Sequence, residues 1–301
     1  MKETLVSVVI PTKGRINEAL ECINSILNQT LLPHEIIIID SSKNTSLSSF
    51  LKRRTPTEHT KIKYVYFDAC LTAARNKGVQ QSSGNIIFFF DDDVVLDRDY
   101  IKEVVKVFRD DRDGSIAGVM GKITNIRTNM SALNTAFRRL FFLSYFGDGK
   151  FRSSGITTSV QHEKRIVKTN FLTGCGMAYR RKIFREFTFD EKLEKLSGYC
   201  YREDVDFSYR VSRKYTLMFT PFAKLEHRQS KKSRINSMLT KRQHIFNHYY
   251  LFKRNMPKHL TNLIAFCLSI LGLLLLSIAR KNARRTAGIL RGILDIMFNY
   301  Q

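Results

Sequence analysis

Residues 84–97 read GNIIFFFDDDVVLD, and this stretch decides the fold. Five apolar residues, Ile86 to Phe90, follow the turn signal Gly84-Asn85 and end on three consecutive aspartates, Asp91, Asp92 and Asp93. A short continuous apolar run bounded by turn residues is the pattern of a strand buried on both faces. Adjacent carboxylates at its end would repel one another unless a cation sat among them. Oxygen ligands suit hard ions, and Mg²⁺ or Mn²⁺ binds through one or two carboxylates together with the phosphates of a substrate. The other reading of the triplet is a solvated acidic turn that caps the next helix.

Upstream the chain repeats a strand-then-helix rhythm. Leu5 to Ile10 is predicted as a strand closed by Pro11; Ile16, Leu20, Ile23 and Leu27 recur at helical spacing; Glu35 to Asp40 is a second strand with four isoleucines. A weaker helix follows, then a strand over Ile62 to Tyr66, a helix over Leu71 to Gln81 and the strand that ends at the aspartates. Doubly buried strands separated by helices predict a mostly parallel sheet flanked by helices, with ligands at the carboxyl ends of the strands. Those ends carry polar groups: Thr12, Lys13 and Arg15 after the first strand, Asp40 at the second, and the aspartates after the fourth.

The segments VSVVIPTKGR, IIIIDSS, AARNKGV and GNIIFFFDDDVVLD, in that order, resemble the N-terminal half of the family-2 glycosyltransferases, which have the GT-A fold. FLTGCGMAYRR and YREDVDFSYRV resemble that family's acceptor-side segment and Glu-Asp motif, and Leu225-Glu226-His227 resembles its late histidine. The spaced motifs cover roughly residues 5 to 255 and imply a catalytic domain over 1–255, with a nucleotide-binding half to about residue 124 and an acceptor half over about 169–230.

Transfer from a nucleotide sugar needs a cation to neutralise the departing diphosphate, a base for the acceptor hydroxyl and contacts to the nucleotide. Asp93 and Asp91 are the candidates for the metal, Mg²⁺ or Mn²⁺, and His227 is a further candidate ligand or else a packed or surface histidine. The resemblance implies that one aspartate of the triplet also reaches the ribose, so Asp91 and Asp92 join Pro11, Thr12 and Asp40 as nucleotide-binding candidates. Arg15 and Arg75 are candidates to face the diphosphate, the alternative for Arg75 being a solvated helix residue. Glu203 and Asp204 open a helical stretch in which Val205, Phe207 and Val211 can face a core, where carboxylates can also serve as simple helix-terminal charges. The resemblance assigns the catalytic base to Asp204, with inversion at the sugar, and leaves Glu203 to bind the acceptor or orient the site.

Two departures from the family pattern shape the expectation. Asp40 is followed by Ser41 and Ser42 where many members have a second acid, and the chain has no Trp, hence no QxxRW-type motif of processive polymer synthases. One sugar per encounter is expected. Residues 124 to 168 match no recognisable pattern; they carry the cluster Phe137, Leu140, Phe141, Phe142, Tyr145 and Phe146, readable as a lid, an acceptor surface or ordinary core.

The chain of 301 residues is 43% hydrophobic, enough for a full α/β core, and its five cysteines show neither disulfide nor zinc spacing, which suits a reducing cytosol. Met1 leads almost directly into the first strand, and no signal peptide is expected. The net charge of +23 is uneven. From Arg228 to the end there are 14 Lys and Arg and one acid, Asp295. The same quarter holds an apolar stretch of 17 residues, Leu263 to Ala279, at the short limit of a membrane span. Cations flank it on both sides, Lys253, Arg254 and Lys258 before it and Arg280, Lys281, Arg284 and Arg285 after it. Both flanks therefore prefer the cytoplasm, which an interfacial helix or a hairpin completed by Ala287 to Phe298 satisfies and a single span does not. Residues 256–301 are thus expected to form a membrane-associating helical tail on an anionic cytoplasmic surface of a bacterial cell membrane.

The expected function is metal-dependent transfer of one sugar from a nucleotide-sugar donor to a saccharide or lipid-linked saccharide in surface-polysaccharide assembly. A nucleotidyltransferase on a similar sheet is the rival, distinguished by releasing pyrophosphate instead of nucleoside diphosphate. A nucleic-acid-binding protein would also show a sequence pI near 10.0, but the charge here accompanies an apolar stretch and no recognised nucleic-acid motif, so no nucleic-acid partner is expected.

Overall fold

The computed structural model describes residues 4–43, 46–52, 59–126, 130–194, 201–228 and 237–298. The parallel core is built from β1 (Val6–Thr12), β2 (Glu35–Asp40), β3 (Lys61–Tyr66) and β4 (Ile86–Phe89), in the spatial order β3-β2-β1-β4. Between them run the helices α1 (Ile16–Leu27), α2 (Ser46–Lys52) and α3 (Leu71–Gln81). Alternate residues of each central strand enter opposite cores. Val8, Ile10, Ile36, Ile38, Phe88 and Phe90 pack on one face of the sheet, whereas Val9, Ile37, Ile39, Ile87 and Phe89 pack on the other. This is the two-sided burial that the unbroken apolar runs imply.

The sheet continues with β5 (Val94–Leu96), β6 (Ile116–Ile123), β7 (Val167–Thr169), β8 (Met177–Arg180) and the long β9 (Thr216–His227). β8 runs antiparallel to β4 and β6, β9 runs parallel to β6, and β5 and β7 pair antiparallel with the two ends of β9. The sheet is therefore mixed: β1 to β4 run parallel on one side, and β6 and β9 form a second parallel pair beyond the antiparallel β8. β1 runs through Pro11 to Thr12, one step beyond the expected close. β4 ends opposite Val9, and Pro11 faces that same vacated side, so its missing N–H removes no ladder bond.

The helices α4 (Tyr100–Asp110), α5 (Ala132–Leu140) and α6 (Glu203–Ser212) complete the part that resembles the family. Three further helices follow: α7 (Ser237–Asn255), α8 (Leu260–Ala279) and α9 (Ala283–Phe298). α9 folds back along α7, where Gly288 and Gly292 allow close approach: a Cβ at Gly292 would lie 2.8 Å from the Ile245 Cβ and 2.9 Å from the Arg242 carbonyl. Arg242 and Asp295 add an ion pair across the same seam at 2.5 Å. α8 leaves a stripe of Leu260, Ile264, Leu271, Leu275 and Ile278 exposed, and α9 leaves Leu290, Leu294, Met297 and Phe298 exposed.

Candidate functional site

After Phe90 the chain leaves the sheet, so the three aspartates emerge at the carboxyl end of β4, beside the ends of β1 and β2. Two contacts then close a ring of carboxylates. β5 pairs with the far end of β9 with Val94 opposite His227, and the Arg228 N–H donates to the Asp93 carbonyl at 2.8 Å. The His227 Nε2 consequently lies 3.1 Å from Asp93 Oδ1 although 134 residues separate them. Asp91, Asp93 and His227 bring one potential ligand atom each to within 4.8 Å of one another. Two carboxylates and an imidazole suit Mn²⁺ or Mg²⁺ chemically, and they leave room for phosphate oxygens. Asn125 steadies the histidine: its side chain donates to the His227 carbonyl at 2.9 Å and accepts from the His227 N–H at 3.1 Å.

Charge at the site is tightly coupled. Burial raises the Asp91 pKa against the pull of Arg75, and burial lifts Asp92 to about 7 against Arg15. Burial works the other way on His227, yet the Asp93 hydrogen bond and the Asp91 charge carry its pKa above the ordinary value. Arg15 sits at the rim, 2.5 Å from Asp92 and 3.0 Å from Asp93. Arg75 is 1% exposed, which removes the solvated-helix reading. It bridges Glu203 at 2.6 Å and Asp91 at 3.2 Å, and burial of the guanidinium is outweighed by these carboxylates, which hold its pKa above the usual value. Gly174 makes room for it, because a Cβ there would meet Arg75 Nη2 at 2.7 Å. Arg75 thus ties the triplet to the Glu-Asp pair across 128 residues.

Asp204 accepts from the Gly174 N–H at 2.8 Å and from the Val205 N–H at 2.7 Å. Burial, then the neighbouring Glu203 charge, push its pKa up to about 7. Arg202 occupies the N-cap position in a left-handed conformation, φ 67°, with no side-chain cap bond, and the Val205 bond makes Asp204 a partner of the first turn of α6 as well. Glu203, held by Arg75, is the less available of the two.

A cleft of about 1040 Å³ gathers Pro11, Arg15, Arg75, Asp91, Asp93, Glu203, Asp204 and His227. Thr12, Asp40 and Asp92 stand behind this wall. Thr12 donates to Asp92 at 2.7 Å, and Asp40, in register with Thr12, accepts from Ser42 and from the Tyr64 hydroxyl at 3.0 Å. A further wall comes from residues that the sequence does not assign to the site: Arg138 of α5, Lys241, His244 and His248 of α7, and Leu273, Leu276, Arg285 and Ile289 of α8 and α9, the last four expected only as part of the membrane-associating tail. Their only signal in the sequence is the excess of cations beside the apolar stretch. The aromatic cluster also reaches this wall without forming a core. α5 has no buried residue, Phe141 stacks on Phe137 with ring centres 4.5 Å apart, and a Cβ at Gly272 of α8 would meet the Phe141 Cβ at 2.5 Å.

Comparisons with known proteins bear on the family and the fold. The sequence profile described as "Glycosyl transferase family 2" matches residues 7–188. Glycosyltransferase GlyA of Streptococcus pneumoniae is 21% identical over 189 residues, 62% of this chain and 26% of that protein. An uncharacterized glycosyltransferase of Rickettsia conorii is 35% identical over 107 residues, covering 35% of this chain and 17% of its own length. The matches therefore span well under half of these two relatives. Among solved structures, the Pyrobaculum calidifontis mannosyltransferase PcManGT, in complex with GDP-Man and Mn²⁺, superposes over 98% of this chain and 88% of its own, with a TM-score of 0.62 at 15% identity. GalNAc-T7 with UDP, GalNAc and Mn²⁺ covers 75% of this chain and 44% of its own, with a TM-score of 0.55 at 16% identity. At such identities the likeness is one of fold, and it extends through the strands that carry the aspartates and the histidine. On the strength of the profile match across most of its length, the chain belongs to glycosyltransferase family 2.

Proposed function

We propose that this protein transfers one sugar from a nucleotide-sugar donor to a hydroxyl of a lipid-linked saccharide, with inversion, at the cytoplasmic face of a membrane. The observation that carries the reading is the single cleft in which a carboxylate–imidazole cluster, Asp91, Asp93 and His227, lies together with Asp204, a carboxylate whose pKa is lifted to about 7. A divalent cation held by that cluster would neutralise charge on the departing diphosphate. Asp204 takes the acceptor hydroxyl proton; the acceptor oxygen bonds to the anomeric carbon as its bond to the diphosphate oxygen breaks, and that electron pair leaves with the nucleoside diphosphate. A pKa near the operating pH suits a general base. Attack from the face opposite the leaving group gives inversion. Arg75 keeps Glu203 and Asp91 in fixed relation, and Arg15 screens Asp92 and Asp93 at the rim. Pro11 and Thr12 lie beside Asp40 at the ends of β1 and β2, where nucleoside contacts are assigned.

The membrane assignment draws support from α8, a 20-residue helix of mean hydropathy 2.4, and from its exposed stripe next to that of α9. The two solved relatives bind nucleotide sugars or nucleotides with Mn²⁺, which favours a manganese-activated donor site here. The direct test is a panel of nucleotide sugars titrated against the protein with and without Mn²⁺. Tight binding of one donor only in the presence of the cation is expected; metal-independent binding of all, or binding of none, contradicts the reading.

A further inference from the structure

The cleft has two electrostatic poles, and the reaction described above uses only one. Arg138 of α5, Lys241 of α7 and Arg285 of α9 line the same cavity, as does Arg202, which precedes α6 and lies within reach of the Asp204 charge. None of the four forms an ion pair among the described residues. Arg138 donates to the Asn134 side chain and the Ser144 carbonyl, Arg202 donates to the Gly155 carbonyl at 2.5 Å, and Lys241 Nζ lies 3.1 Å from His244 Nδ1. The Arg285 Nε is buried with no hydrogen-bond partner among the described residues. The cations repel one another: burial, then Arg285 and Arg280, depress Lys241 to about 8, and burial followed by Arg280 and Arg285 lowers Arg138. Arg138, Lys241 and Arg285, from three helices, stand together without an acidic partner among the described residues, and a ligand anion would complete that site. The donor diphosphate belongs at the acidic pole with its cation, so the second pole calls for a second anion. Beside it the wall turns apolar through Leu273, Leu276 and Ile289.

Resting on the transferase reading above, we propose that the cationic pole binds the phosphate through which the acceptor saccharide is joined to its lipid, with Arg138, Lys241 and Arg285 on its oxygens and the hydrocarbon chain running along Leu273, Leu276 and Ile289. A planar guanidinium pairs two phosphate oxygens at once, and the adjoining leucines offer an apolar exit toward the exposed face of α8. A neutral saccharide would leave the cations uncompensated.

The experiment measures binding of farnesyl phosphate, below its micelle concentration, to the full-length protein by calorimetry and by the rise in Tm. Farnesol and inorganic phosphate serve as comparison ligands. Farnesyl phosphate is expected to bind at least about tenfold more tightly than either, and Arg285→Gln to weaken it by about tenfold or more, while Arg285→Lys, which keeps the charge but not the two-point contact, loses less than Arg285→Gln. Because Arg285 adds to the mutual repulsion, ligand-free Arg285→Gln is expected to melt no lower than the parent, which separates lost binding from lost folding. Equal binding of farnesol would overturn the phosphate assignment, and equal binding of inorganic phosphate would overturn the lipid. Unchanged affinity in both Arg285→Gln and Lys241→Gln would overturn the site itself. Donor hydrolysis by the unaltered protein is followed in parallel: its absence with every nucleotide sugar brings down the transferase reading, whereas hydrolysis without farnesyl phosphate binding brings down this one.

Discussion

Asp204 is the residue at which structure and chemistry pull hardest against each other. Its carboxylate is desolvated and faces Glu203, so its pKa stands near 7 instead of 3.8. The native state therefore binds a proton that the unfolded chain has already lost between about pH 4 and 7, and stability falls as pH rises through that window. Asp204→Asn removes the ionisation, so its melting temperature relative to the parent should improve between pH 5 and pH 8; a difference that stays flat with pH would mean the carboxylate is not desolvated. The same substitution cannot accept the acceptor proton, and turnover should drop by at least about a hundredfold while donor affinity stays within a few-fold. Near-normal turnover would reduce Asp204 to a brace for the Gly174 N–H. At the acidic cluster, Asp93→Ala removes one of the two carboxylates proposed to hold the cation and should cost at least about a hundredfold in transfer, with the fold intact by circular dichroism. Arg75→Met is the harsher change, because Glu203 and Asp91 would lose their shared counter-charge; a melting-temperature loss together with a raised donor KM is expected.

The helix α9 shows how an element far from the family motifs shapes the site. It packs on α7 through Gly288 and Gly292, and α7 in turn carries Lys241, His244 and His248 into the cleft. Gly292→Leu should push the two helices apart, cost about 1–3 kcal/mol of stability, and raise the acceptor KM more than the donor KM. Equal effects on both constants would separate α9 from the acceptor wall. Sequence pattern made the nucleotide half legible because each device there is local. β2 and α3 run over the residues that apolar runs and helical spacing outline, Glu35–Asp40 and Leu71–Gln81, and α1 starts at Ile16 and stops at Leu27 as the spacing requires. The joining of Asp93 to His227 through β5 and β9, and of Arg75 to Glu203, depends on pairings across more than a hundred residues that no period encodes. α5 was opaque for another reason. The aromatic residues at 137–146, of which only Phe137 lies on α5, neither alternate nor repeat with a buried face; Phe137 and Phe141 pack on each other and Phe141 lies against α8 without a core of their own.

At the scale of the whole molecule, more than half of the +23 net charge, 14 Lys and Arg against the single acid Asp295, lies on the same quarter of the chain as the apolar surface of α8 and α9, and the cleft runs from the carboxylates to that quarter. A protein so arranged should sediment with membranes, and high salt alone should not strip it off, since apolar contact adds to the electrostatic attraction. Truncation after Asn255 should release it while sparing slow donor hydrolysis, because the acidic cluster and Asp204 lie upstream; transfer should collapse, since Leu273, Leu276, Arg285 and Ile289 go with the tail. Cysteine labelling from outside intact cells should miss both Lys258 and Arg284 once each is replaced by Cys, as a hairpin or interfacial pair keeps both flanks inside; labelling of one alone would mean a single span. Full-length protein in its membrane, supplied with the donor it binds and a lipid-linked acceptor, should release nucleoside diphosphate in step with acceptor glycosylation, and excess chelator should stop both. Release of pyrophosphate instead, or undiminished transfer in excess chelator, would contradict the account.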